Sequence, residues 1–94
     1  MRINYKGHAI DTKVVTGQLT KASIKSLDVF FSYDEPIAIC YPQKAIINAE
    51  PACSSTTSRH INHVKKLYTE REEFLYIDFH IKMEQLLNGE WGES

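Results

Sequence analysis

Three apolar segments follow one another with almost nothing between them. Leu27–Tyr33, Ile37–Tyr41 and Lys44–Asn48 are separated only by Asp34-Glu35-Pro36 and by Pro42-Gln43. A parallel neighbour needs a crossover of about a dozen residues, so links this short make the three segments antiparallel neighbours. Val29, Phe30, Phe31 and Tyr33 crowd the first segment with β-formers. Asp34 and Pro36 give the first reversal its chemistry, an acceptor at the start of a turn and a fixed φ.

Upstream, Ile3–Tyr5 and His8–Val15 read as short strands punctuated by Gly7 and Gly17. Thr20–Ser26 fits either one helical turn or a connection. Downstream the period changes. Ser54, Ser55, Thr56, Thr57 and Ser58 offer a run of N-caps, and Ile61, Val64, Leu67 and Tyr68 then recur at helical spacing. This predicts a helix over 57–68. Thr69–Glu73 reads as a charged connection and Phe74–Ile77 as a strand. Asp78 is then the cap of a second helix over 79–88, with Phe79, Met83, Leu86 and Leu87 on its apolar face and Asn88-Gly89 as its stop.

The fold class expected is α+β: a curved antiparallel sheet of about four or five strands with both helices packed on one face. Phe30 or Phe31, Ile37, Ile39, Ile46 and Ile77 would meet the helices in a single core. The organisation expected is one domain over 1–89 and a short acidic tail over 90–94, which carries Trp91.

Bulk properties narrow the function classes. The chain has 94 residues, 43% hydrophobic and 24% charged, the balance of an ordinary globular domain. A domain of this size buries only roughly 60–65% of its unfolded surface, so a partner or a second copy forming a homodimer would add stability. The net charge of −1 disfavours a surface built wholly for nucleic acid. The charge is nevertheless uneven, at +3 over 56–71 and −5 over 72–94. Two cysteines make no disulfide framework, and they read as reduced thiols of a cytoplasmic protein. Met1–Gly7 has no apolar region of a signal peptide, and no apolar run is long enough for a membrane span.

The most unusual stretch is Thr56-Thr57-Ser58-Arg59-His60-Ile61-Asn62-His63. Hydroxyls, a guanidinium and two imidazoles at a helix start suit either a well-capped helix with a polar outer face or a site for an anion, including a nucleic-acid phosphate. The candidate binding residues are therefore Thr57, Ser58, Arg59, His60, His63 and Lys66. Arg59, His63 and Lys66 recur at four and three residues and share one stripe. Cys40, Cys53, His60 and His63 lack the paired spacing of a closed zinc site, so no metal is expected. No nucleophile, base and orienting group come together, and no phosphate or dinucleotide fingerprint is present. No catalysis and no cofactor are expected.

Two segments together carry a resemblance. Phe31-Ser32-Tyr33-Asp34-Glu35-Pro36-Ile37-Ala38, followed by Thr56-Thr57-Ser58-Arg59-His60-Ile61-Asn62, resembles a small family of phage and plasmid proteins in which S-Y-x-T-P-[VI]-A precedes T-T-S-[RK]-H. Glu35 stands where that pattern has a small hydroxyl. The resemblance spans 27–88 and implies a mobile-element origin. The function expected is that of a small non-enzymatic protein that binds and modulates a host or defence protein complex, in the manner of an anti-CRISPR protein. The alternative is a nucleic-acid accessory domain that contacts phosphates through the basic helix beginning at Thr57.

Overall fold

The structure is a computed structural model that describes residues 2–49 and 55–89. Eight strands and two helices run in the order β1 (Arg2–Tyr5), β2 (His8–Asp11), β3 (Lys13–Thr16), β4 (Leu19–Ile24), β5 (Leu27–Ser32), β6 (Glu35–Cys40), β7 (Lys44–Asn48), α1 (Ser55–Leu67), β8 (Glu70–Phe74) and α2 (Tyr76–Leu87). β1 and β2 form a separate hairpin, and the other six make one sheet in the order β3-β4-β5-β6-β7-β8. The α+β class, the antiparallel meander and the two helices are as the sequence predicts.

Tight turns hold the meander together. β4 and β5 are joined at Lys25-Ser26, both at positive φ (53° and 69°), between the paired residues Ile24 and Leu27. Such turns match the strand twist. β5 and β6 are joined at Tyr33-Asp34, between the paired residues Ser32 and Glu35, with Tyr33 at φ 59°. The register shifts between Phe30 and Phe31, a bulge just before this tip.

The helices lie on opposite faces of the sheet, not on one. Leu27, Val29, Phe31, Ile39 and Ile46 pack with Phe79, Met83 and Leu86 of α2 and with Ile3, Tyr5 and Ile10 of the hairpin. Phe30, Ile37, Ala38, Cys40, Ala45 and Ile47 pack with Val64 of α1. The physical reason is in the strands. Phe30-Phe31, Ile37–Cys40 and Ala45–Ile47 are unbroken apolar runs, and successive residues of a strand point to opposite faces. Phe30 and Phe31 therefore both go inside, one to each layer.

The end of the chain also differs from expectation. Glu70–Phe74 is a strand, parallel to β7, and α1 supplies the crossover that a parallel neighbour needs. Its first four residues are exposed, so no apolar alternation announces it. An edge strand tolerates such charge, which also discourages pairing with another chain. Phe74–Ile77 is not a strand: α2 starts at Tyr76, with Leu75 as its cap residue and Asp78 inside its first turn. α1 begins at Ser55 rather than 57. His8–Val15 divides at Thr12 into β2 and β3, and Thr20–Ser26 is neither helix nor connection but most of β4 and its turn. The 90–94 tail and Cys53 lie outside the described residues.

Candidate functional site

The helical period sorts the six predicted residues. Thr57, His60, Ile61, Val64 and Tyr68 recur at three and four residues, so Thr57 and His60 continue the inward face of α1. Both are buried, whereas Ser58, Arg59, His63 and Lys66 are exposed.

The two inward residues meet Ser32, at the end of β5. Ser32 Oγ lies 2.8 Å from His60 Nδ1 and 3.1 Å from Thr57 Oγ1. Burial lowers the His60 pKa below its ordinary value, and the neighbouring His63 acts in the same direction. Neutral His60 is thus the form that fits this contact. The three side chains form a link between sheet and helix. Ser32 is 2% exposed, so its hydroxyl faces protein rather than a substrate.

The link fixes the β5–β6 tip from one side of the sheet. The Tyr33 ring lies 6.5 Å from the His60 ring, yet Tyr33 remains 50% exposed. The Tyr33 amide donates to the Gln18 carbonyl at 3.0 Å, which ties the tip to the turn that precedes β4. The opposite side of the tip faces α2 and the hairpin. Asp34, Glu35 and Pro36 line a shallow cavity of about 240 Å³ with Tyr5, Tyr76 and His80.

His80 is a residue that sequence reasoning missed. Its Nδ1 lies 2.6 Å from the Tyr5 hydroxyl, its ring stacks on the Tyr5 ring at 5.7 Å, and Tyr76 approaches at 4.3 Å. Burial depresses the His80 pKa, with Lys6 adding to the effect while Glu35 and Glu84 oppose it. Burial also pushes the Tyr5 hydroxyl up to about 12. His80 Nε2 is buried without a hydrogen-bond partner among the described residues. Seventy-five positions separate Tyr5 from His80, so no local pattern could have joined them.

The basic neighbours of the candidate site divide in the same way. Arg71 Nη1 donates to the carbonyls of Lys65 and Tyr68, at 2.9 and 2.8 Å, and so caps the end of α1. Lys65 lies 3.8 Å from Glu73 of β8. The exposed stripe is therefore Arg59, His63 and Lys66, on a helix with no acidic residue. Among the described residues, no group of three His, Cys, Asp or Glu is placed to hold a metal ion, and no helix is long and apolar enough to cross a membrane.

No curated protein and no solved structure matches the chain. One family model does match, over residues 4–79, a span that takes in the tip, the Ser32–Thr57–His60 link and the start of α2. The chain belongs to that family, the family of unknown function DUF8033.

Proposed function

We propose that this protein is a non-catalytic binding protein that docks on an acidic protein surface through Tyr33 and the exposed stripe of α1. The observation that carries the reading is Tyr33. It is a bulky residue at φ 59°, on a turn held by the adjoining Ser32–Thr57–His60 link and by the Gln18 carbonyl, and half of it faces solvent. A left-handed conformation costs a non-glycine residue roughly 1–2 kcal/mol. Burial of the ring does not offset that cost here. Strain of this kind gathers at binding surfaces. Tyr and Arg are among the residue types that dominate interface energies, and Arg59 directly precedes His60 on α1.

Arg59, His63 and Lys66 give the surface its positive character, so an acidic patch is the complementary partner. The resemblance to phage and plasmid proteins supports a host or defence complex in the host cytoplasm as the source of that patch. The runner-up is a nucleic-acid backbone, favoured by the absence of acid on α1. The capping role of Arg71 and the pairing of Lys65 reduce the cations available for it.

The experiment is a tagged pull-down from host lysate, with and without nuclease and at two salt concentrations. Wild type is run beside the Tyr33→Ala/Arg59→Ala double variant. A protein retained after nuclease treatment and lost with a folded double variant is the expected result. Retention that disappears with nuclease moves the assignment to nucleic acid. Retention unchanged in the double variant rejects this surface.

A further inference from the structure

The six-stranded sheet ends in two unlike edges. β8 closes one side with Glu70, Arg71, Glu72 and Glu73. β3 closes the other with Lys13, Val14, Val15 and Thr16, all of them exposed. One side of β3 is paired with β4, and among the described residues no backbone group meets the other side. β4 also runs on past the start of β3. Among the described residues Ala22, Ser23 and Ile24 have β5 on one flank and no strand on the other. Unpaired N–H and C=O groups along an edge are a template for one more strand. Val14 and Val15, 58% and 38% exposed, are β-branched and suit a pleated surface.

The charges at this edge indicate what kind of strand fits it. Lys13 and Lys21 are paired directly across β3 and β4. Opposed residues share a face, and two like charges there repel. Lys21 is also paired with Phe30, which packs in the α1 layer, so both lysines stand on the α1 side of the sheet. Among the described residues neither is in an ion pair. With Asp11, Ala22 and Ser23 they line a cavity of about 410 Å³ at the step between the strands. The acid of this cavity is taken, because Asp11 accepts from Arg2 at 2.9 Å. Its hydroxyl is taken as well, since Ser23 Oγ donates to Asp28 at 3.2 Å. A carboxylate opposite Lys13 offsets the repulsion between the two cations that remain. A neutral or basic strand meets the same lysines as a barrier, because lysine on an edge discourages pairing. β8 of a second copy also offers carboxylates. A β3-to-β8 contact is head-to-tail, however, and unless its rotation closes a ring it runs on from copy to copy into a filament. A separate acidic segment ends the sheet after one strand.

We infer that the β3 edge takes up an extended acidic segment of a partner protein as one more strand. The strand pairs at Lys13 and Val14, with a carboxylate set against Lys13 and Lys21 on the α1 side and an apolar side chain against Val14 on the other. The bulge between Val14 and Thr16 bends the remainder of the edge, which confines the pairing to the end beside the cavity. None of these residues belongs to the surface of Tyr33 and α1, so the inference stands or falls apart from that one.

Amide-resolved NMR tests the edge, with a short end-blocked peptide of alternating glutamate and valine as the probe. Alternation puts its carboxylates on one face and its valines on the other. The signals of Lys13–Val15 are expected to shift on titration and their exchange with solvent to slow. Lys13→Glu/Lys21→Glu, with folding checked by circular dichroism, is expected to weaken binding by roughly tenfold. The same peptide methylated at its backbone amides keeps the charge but cannot donate to a ladder, and it is expected to leave the edge unaltered. No change at Lys13–Val15 with the glutamate–valine peptide overturns the proposal. Equal binding of the methylated peptide overturns strand addition, and equal binding by the charge-reversed variant overturns the acidic partner. Protection of the same amides by the chain's own concentration, without peptide, makes a second copy the occupant and overturns it likewise.

Discussion

Ser32 Oγ sits 2.8 Å from His60 Nδ1, and this contact ties the last residue of β5 to the second turn of α1. It joins two segments 28 positions apart, and it does so between the two stretches that carry the resemblance. The hydroxyl also meets Thr57 at 3.1 Å, so one small side chain serves two helix residues. Ser32→Ala leaves a buried imidazole nitrogen without its partner. The expected cost is about 1–3 kcal/mol. Urea unfolding should show a lower midpoint with an unchanged slope.

The buried histidines His60 and His80 make stability depend on pH. Burial lowers the folded-state pKa of His60 and of His80 below the ordinary value of 6.5. Below that value the unfolded chain binds more protons than the folded one, so stability falls as pH falls. The contribution is whole above pH 6.5 and is lost as the pH drops toward the lowered folded values. Thermal unfolding between pH 7.5 and 5 should show a falling Tm. The fall should be shallower in His80→Phe, which removes one of the two groups. An equal slope in wild type and variant would exclude His80 as a source.

How much of this was legible in the sequence depends on where each signal lies. The meander was readable because Asp34-Glu35-Pro36 and Pro42-Gln43 leave room for nothing but reversals. The division of the six site residues was also readable, since Thr57 and His60 extend the spacing of Ile61, Val64 and Tyr68, whereas Leu67, expected on the same face, is 56% exposed. The two-layer burial had its sign in the Phe30-Phe31 pair, because adjacent apolar residues in a strand cannot share a face. β8 had none: Glu70–Glu73 are exposed at the sheet edge, and only the backbone of β7 selects them as a strand. The Tyr5–His80 contact spans nearly the whole chain and follows from packing alone.

Burial on both faces has its own test. Phe30 packs with the α1 layer and Phe31 with the α2 layer, and they are 3% and 0% exposed. Phe30→Ala and Phe31→Ala should each cost about 3–5 kcal/mol. A sheet covered on one side would show that loss at one position and a small effect at the other. Equilibrium denaturation of the two variants separates the arrangements.

The conformation of Tyr33 can be measured as strain. At φ 59° a glycine meets no penalty, and a β-branched residue meets the largest one. Tyr33→Gly and Tyr33→Val both remove the half-exposed ring, so the difference between them reports the backbone. The valine variant is expected to be less stable by roughly 1–2 kcal/mol. Binding behaves differently, because both variants lack the ring that the docking surface displays. A partner captured by wild type should be lost from both to the same degree, although only the valine variant is strained. Capture that tracks stability rather than the ring would show that Tyr33 serves the turn and not the partner.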